Sequence, residues 1–471
     1  MDLIKAQVVV IGAGPGGYAA AFYAADQGKQ VILIEKDEKL GGVCLNRGCI
    51  PSKALLNASK MIHEAKESAH RGISFSEPTI DLAKLREWKN SILGKLSGGI
   101  SALAKSRGVE VMYGRGHFEN SHTLRVETSE GQKFIAFEHA IIATGSRATL
   151  PRVFDLGNPR IMTSRGALEV EEIPEELLVI GGGYIGMELG SVYATLGSKV
   201  TLVEALPAII AAADPDLVRP VAKFAEENFK EVRLNTKIVK MATKGAKIQV
   251  TIEFPDGEKK DELYDRVLVS VGRSPANKEL GLENTRVELD EKGFIKVNER
   301  QQTGDTNIYA IGDCVGGMML AHKASKEARI AVEVITGEDS LWDNFVVPAV
   351  VFTDPEIAWV GITEQEARKE GRKFKVAKFP WSASGRALTY DRTDGLTKII
   401  VEEETERILG VGIVGHGAGE LIGEATLAIE MGATVRDVAE TIHAHPTLSE
   451  TIMETAEAFF GHATHIAARK R

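Results

Sequence analysis

Two of the chain's three cysteines, Cys44 and Cys49, stand five positions apart in the stretch GGVCLNRGCIPSK, residues 41 to 53. That spacing is neither the C-x2-C of thioredoxin-like proteins nor a zinc spacing. No second cysteine pair or close His-Cys cluster completes a metal site, so no metal is expected. In a regular helix, residues five apart are separated by about 7.5 Å along the axis alone, beyond the usual Cα separation of a disulfide. The segment must bend if the sulfurs are to bond. Pro51 suits the first turn of a helix continuing through SKALLNASKMI, and such a start favours the thiolate of Cys49. Cys44 is then expected to be the more exposed, attackable sulfur. Two unpaired, packed cysteines are the competing reading, and what weighs against it is the element that precedes them.

That element occurs twice. VVVIGAGPGGYAAAFYAADQGKQVILIEK begins at Val8 and LLVIGGGYIGMELGSVYATLGSKVTLVEA begins at Leu177. Each reads as apolar strand, glycine turn, small-residue helix, glycine, second strand and acid. Gly12 to Gly28 spans 16 residues and Gly12 to Glu35 spans 23; Gly181 to Gly197 and Gly181 to Glu204 repeat both intervals. In such a βαβ unit the first glycine (Gly12, Gly181) makes the tight turn, the second (Gly14, Gly183) admits a pyrophosphate, and the third (Gly17, Gly186) lets helix pack on strand. The helix N-terminus adds free N–H groups and a positive dipole end. One glycine loop is weak evidence; two copies with the acid in register predict two dinucleotide sites. Glu35 and Glu204 are placed to accept hydrogen bonds from ribose hydroxyls and would repel a 2′-phosphate. ALPAIIAAAD, after Glu204, supplies no arginine for that phosphate, so NAD is expected at the second site rather than NADP.

Composition agrees with an enzyme of several domains. The 471 residues are 44% hydrophobic, enough for about three domains, and three cysteines are too few for a secreted disulfide scaffold. No leader-like segment precedes QVVVIG and no apolar run approaches the roughly 20 residues needed to cross a bilayer, so a cytoplasmic protein with no membrane contact is expected. A net charge of −9 without a dense Lys/Arg block argues against nucleic acid; the terminal ARKR reads as a solvated tail.

GGVCLNRGCIPSK, ATGS at 143 to 146, VIGGGYIGMELG, SVGRSPAN from Ser270, IYAIGDC from Ile308 and HAHPTLSE from His443 fall in order along the whole chain. In this the sequence resembles the pyridine nucleotide-disulfide oxidoreductases, and within them the enzymes that oxidise dihydrolipoamide. The resemblance implies an α/β fold of two Rossmann-like dinucleotide-binding domains plus an α+β C-terminal dimerisation domain. Its segments would be 1 to 149 for FAD, 150 to 274 for NAD, 275 to 346 completing the FAD half and 347 to 471 for dimerisation, with seams near Pro151 and Pro275. FAD would be held by Gly12, Gly14, Gly17, Glu35, Lys53, Gly116, Thr144, Gly145, Ser146, Asp313, Ala321 and His322. NAD would be held by Gly181, Gly183, Tyr184, Gly186, Glu204, Ile238 and Gly272.

The implied reaction oxidises protein-bound dihydrolipoamide to lipoamide through a Cys44–Cys49 disulfide and FAD, with hydride passing to NAD. Lys53 and Glu188 match the family's ion pair near the flavin; a solvated lysine and a helix-surface glutamate are the plain alternative. The base is sought in HAHPTLSE, where Glu450 can orient His445 and stabilise its charged form. His445 and Glu450 are implied to serve the partner subunit's site, making the working unit a homodimer. The other partner implied is a lipoyl-bearing acyltransferase of a 2-oxo acid dehydrogenase complex, or a lipoyl carrier protein. A flavoprotein reductase of another disulfide or a quinone, and a redox-idle structural flavoprotein, are the alternatives.

Three positions depart from the family's usual wording. Ala148 stands where proline is common, Tyr184 where dihydrolipoamide-oxidising members often have an aliphatic residue, and Arg47 where an apolar residue is usual between Asn46 and Gly48. Arg47 either reaches solvent or lends positive charge to the thiolate. Cys314, after Asp313, reads as a packed thiol.

Overall fold

The computed structural model describes residues 3–467, and the basic run at 468–471 lies outside the described residues. The first repeat folds as β1 (Leu3–Ile11), α1 (Pro15–Asp26) and β2 (Val31–Glu35). β1 and β2 pair in parallel, Val8 opposite Val31 and Ile11 opposite Ile34. Their apolar runs do not alternate with polar residues because both faces are covered, as a parallel sheet with helices on its faces requires. Strand Glu110–Tyr113 extends this sheet beyond β2, and Gly131–Ile142 flanks β1 on the other side. Gly131–Ile142 also pairs in parallel with a strand from beyond the second repeat, which thus returns to this sheet.

 That returning strand is Ile308–Ala310, with Ile308 opposite Ala140 and Ala310 opposite Ile142. Strands Thr123–Thr128 and Arg115–Asn120 complete the sheet in antiparallel fashion.

The second repeat builds a separate sheet of five parallel strands in the spatial order Glu231–Arg233, Lys199–Val203, Glu176–Ile180, Arg266–Val269 and Ile161–Met162. A three-stranded antiparallel sheet, 237–264, packs on it through Met241, Ile248, Val250 and Ile252. The C-terminal layer is antiparallel: Ala349–Val351, Glu356–Gly361, Ile408–Gly415, Leu396–Glu402 and Phe374–Pro380, in that order. Helices Ala418–Glu430 and Glu450–Phe460 share one apolar core with this layer, centred on Trp381, Ile399 and Ile413. Two dinucleotide-type sheets, the first mixed and the second parallel, with an α+β C-terminal layer are the expected fold class.

Two features tie these layers together. Leu55, Met187, Val351 and Val414 belong to one buried cluster, so the helix that follows the cysteines packs against both the second repeat and the C-terminal sheet. Lys398, 1% exposed on strand Leu396–Glu402, places its ammonium 2.6 Å from Asp214, 2.8 Å from Asp216 and 3.0 Å from Glu364. The three carboxylates converge as metal ligands do, and the Lys398 and Lys378 ammonium groups together offset most of their charge. A buried cation needs such partners, because an unpaired one costs several kcal/mol, on the order of 3–5 when a partner is removed.

Candidate active site

The two glycine loops are built alike. Gly12 and Gly181 adopt φ of 101° and 103°, a left-handed conformation that glycine takes at little cost. A Cβ on Gly17 would lie 1.7 Å from the Gly12 carbonyl oxygen, and one on Gly186 would lie 1.9 Å from that of Gly181. Gly14 and Gly183 are the N-caps of α1 and of helix Tyr184–Leu196, in extended conformation and without side-chain caps. A Cβ on Gly183 would meet nothing within 4 Å, and one on Gly14 only the Gly42 Cα at 3.9 Å. Uncapped helix N-termini behind an open glycine backbone fit the pyrophosphates of two dinucleotides.

The acids also match. Glu35 accepts from the Ala13 N–H at 2.8 Å and the Asp37 N–H at 2.9 Å; Glu204 accepts from the Gly182 N–H at 2.6 Å and the Leu206 N–H at 2.7 Å. Each carboxylate therefore braces its own glycine loop, a role that the ribose-binding expectation did not include. Gly116 lies on strand Arg115–Asn120, where a Cβ would come 3.6 Å from Ile11 at the end of β1. Ile238 packs its side chain into the core of the small antiparallel sheet, and Gly272, at φ 127°, faces open space.

The cysteines sit where the chain bends. Cys44 lies in α2 (Gly42–Arg47) and Cys49 begins α3 (Cys49–Glu67), with Gly48 between them. A Cβ on Gly48 would lie 2.8 Å from the Val43 carbonyl oxygen and 3.2 Å from the Cys44 Cα, so glycine permits the close return that one continuous helix forbids. Both are free thiols here. The hydrogen bond from Cys44 lowers the Cys49 thiol to about 7, against an opposing effect of burial and with help from the Lys53 charge. The same contact and burial push Cys44 up, so it stays a thiol. The expected order of exposure is reversed: Cys49 is exposed and Cys44 half-buried, Cys44 lying in α2, which Asn46 ties to the Leu40 carbonyl in the loop after β2.

Lys53, one turn into α3, donates to Glu188 at 2.8 and 3.0 Å. Glu188 is 3% exposed, so it is no surface glutamate, and it also accepts from the Phe352 N–H at 3.0 Å. The Lys53 ammonium stands 4.5 Å from the centroid of the Phe352 ring. Phe352 escaped the sequence reading because nothing in its neighbourhood marks a backbone N–H aimed at a distant glutamate.

Behind the cysteines, Thr144, Gly145 and Ser146 leave the first sheet. Thr144 donates to Asn277 at 3.1 Å, and the Ser146 hydroxyl donates to Asp313. Arg273 donates to the Ser146 hydroxyl at 2.7 Å and its carbonyl at 2.9 Å, and approaches Asp313 within 3.7 Å. Arg273 and Asn277 both lie in SVGRSPAN, so the motif carried a signal for them that its glycine alone did not exhaust. Ala321 and His322 open helix Ala321–Ile335, and the His322 Nε2–H donates to the Pro348 carbonyl at 2.8 Å. Tyr184, first in its helix, has its phenol pushed upward, chiefly by burial; Arg273, Asp313, Cys49 and Glu188 are the charges acting on it. Cys314 is fully buried and its thiol is pushed up to about 12 by burial, as a packed thiol should be.

His445 and Glu450 form the expected dyad. Nδ1–H donates to Glu450 Oε1 at 2.9 Å, and the other carboxylate oxygen accepts from the Thr447 N–H at 2.7 Å. With the proton held on Nδ1, Nε2 carries the free lone pair. The imidazole is 74% exposed, and among the described residues no hydrogen bond or ion pair joins it to the cysteines of its own chain. His443 instead pairs with Glu424 at 2.7 Å. The Arg47 side chain is partly exposed and its guanidinium pairs with Asp37.

Paired glycine loops, a cysteine pair at a helix start and a charge pair between them define a flavin- and pyridine-nucleotide-linked disulfide oxidoreductase. The chain belongs to the pyridine nucleotide-disulphide oxidoreductase family: the family model matches residues 6–328 and its dimerisation domain residues 347–456. Curated relatives include a dihydrolipoyl dehydrogenase of Vibrio parahaemolyticus, 48% identical, and one of Haloferax volcanii, 45% identical; each alignment covers at least 98% of both chains. Among solved structures, LpdA from Mycobacterium tuberculosis matches at 28% identity and a TM-score of 0.89, covering 97% of this chain and 100% of that one. The HOCl-induced flavoprotein disulfide reductase RclA from Escherichia coli matches at 29% identity and 0.86, covering 96% and 99%. The protein is thus a homodimeric flavoprotein that uses FAD and NAD(H). None of its described helices is long and apolar enough to cross a membrane.

Proposed function

We propose that the protein oxidises protein-bound dihydrolipoamide to lipoamide, as the names of its curated relatives indicate for them. The observation that carries this reading is the pair of cysteines brought together by the bend at Gly48 at the start of α3, beside the Lys53–Glu188 ion pair, with the Cys49 thiol lowered relative to Cys44. In a Cys44–Cys49 disulfide the better leaving group is the sulfur with the lower thiol pKa. A substrate thiolate therefore attacks Cys44 Sγ, the Cys44–Cys49 bond breaks, and Cys49 departs as thiolate. The second substrate thiol then attacks the substrate sulfur of the mixed disulfide, releasing lipoamide and leaving two electrons on the cysteine pair. His445 Nε2 of the partner subunit takes the substrate proton, and Glu450 keeps that imidazole in the accepting tautomer and stabilises its charged form. Bound FAD supplies the two-electron relay between the dithiol and NAD.

Gly12, Gly14, Gly17 and Glu35 hold the FAD pyrophosphate and ribose, with Gly116 near adenine. Lys53, Thr144 to Ser146, Asp313, Ala321 and His322 line the rest of that site, and Tyr184 belongs with the NAD loop. Gly181, Gly183, Gly186, Glu204, Ile238 and Gly272 receive NAD. The divisions at 149 and 274 are supported by the return of Ile308–Ala310 to the first sheet and by the antiparallel pairing of Ser146–Ala148 with Arg273–Pro275 at both seams, and that at 346 by the dimerisation-domain match starting at residue 347. The lipoyl group arrives on an acyltransferase or a carrier protein, in the cytoplasm. Anaerobic titration of the purified protein with dihydrolipoamide tests the reading: a long-wavelength thiolate–flavin band followed by NADH formation supports it, and an unchanged spectrum rejects it.

A further inference from the structure

Arg47 closes a chain of contacts that runs from the redox helix to the first glycine loop. Its guanidinium, 21% exposed, pairs with the carboxylate of Asp37 in the loop after β2. The Asp37 N–H donates to Glu35 Oε1, and Glu35 Oε2 accepts from the Ala13 N–H beside Gly12. The same loop is gripped at its far end. The Asn46 amide donates to the Leu40 carbonyl at 3.0 Å and the Gly42 carbonyl at 3.1 Å, while the Ser97 hydroxyl donates to Leu40 at 3.0 Å.

We propose that Arg47 is a positioning residue for FAD: by pairing with Asp37 it latches the loop after β2 and holds Glu35 in place for the adenosine ribose, slowing cofactor release. This rests on the reading that Glu35 takes that ribose. The latch differs from an effect on the thiolate. Asp37 compensates the Arg47 charge, and the charges that act on Cys49 are those of Lys53 and Glu188.

The test follows FAD release from the holoenzyme by the rise in flavin fluorescence. Arg47→Val and Asp37→Asn should each speed release by up to about fivefold, the upper range for a partly exposed ion pair. The double variant should be no faster than either single one, because both remove the same contact. Raising the ionic strength should speed the wild-type protein toward the variants and leave Arg47→Val unaffected, a response that lost packing alone would not produce. The exchanged pair Arg47→Asp with Asp37→Arg should recover slow release, which also guards against a single variant that folds poorly. Unchanged release in Arg47→Val, or additive effects in the double variant, overturns the latch. Glu35→Gln separates the two readings: if it holds FAD like wild type, the ribose assignment fails and the latch with it, whereas fast release in Glu35→Gln beside wild-type release in Arg47→Val overturns the latch alone.

Discussion

Replacing Cys44 by alanine should move the titration of Cys49 upward, because the hydrogen bond from Cys44 is the largest single cause of its lowered value. A hydrogen bond to a charged group contributes about 1.5–3 kcal/mol, and about 1.4 kcal/mol corresponds to one pH unit. The midpoint should therefore rise from about 7 to about 8–9, toward the ordinary thiol value of 9.0. At pH 7 the thiolate fraction should fall from about one half to between about 1% and 10%. The sign follows from the direction of the shift. A depressed value stabilises the folded dithiol above the unfolded thiol's pKa, and that stabilisation is lost as pH falls through about 7. The assay is the long-wavelength thiolate–flavin absorbance against pH, in Cys44→Ala, in Cys44→Ser and in the two-electron-reduced wild type. Serine keeps a hydroxyl donor and should titrate close to wild type. A Cys44→Ala midpoint equal to that of the wild type would falsify the assignment of Cys44 as donor. A band in Cys49→Ser and none in Cys44→Ser would reverse the two roles.

Gly186→Ala should leave FAD bound but abolish turnover with NAD, since a Cβ there would lie 1.9 Å from the Gly181 carbonyl in the second loop only; flavin content and NAD-dependent activity measured on one preparation check this. Glu204→Ala should raise the KM for NAD and narrow the gap to NADP, and it should also lower stability by about 1–3 kcal/mol because the N–H groups of Gly182 and Leu206 lose their acceptor. Equal efficiency of the wild type with NAD and NADP would defeat that reading. Mixed dimers of Cys44→Ser and His445→Gln subunits should show activity that neither parent dimer has, because one of the two shared sites then contains Cys44 and His445 intact. Inactive mixed dimers would place the dyad in the site of its own chain.

How much of this was legible in the sequence depends on the distance over which each contact acts. A βαβ unit is a local object whose strand, turn and helix lengths set the interval from glycine to acid, so both dinucleotide loops could be read from spacing alone. The bend between Cys44 and Cys49 was equally local, and Gly48 supplies it. The dyad of His445 and Glu450 spans five positions at a helix start and was likewise readable.

What the tertiary structure alone decided were contacts between residues far apart in the chain. Lys53 meets Glu188 across 135 positions, and Ser146 meets Asp313 across 167. Lys398 reaches Asp216 across 182 positions, turning three carboxylates that could have suited a metal into partners of a buried ammonium. Arg47 shows the same limit at short range. Only ten positions separate it from Asp37, yet the pairing exists because α2 folds back under the loop after β2. Spacing specifies where a side chain leaves its own element, whereas the partner it meets is set by how the elements pack, because charge and hydrogen-bonding groups interact strongly only within a few ångströms.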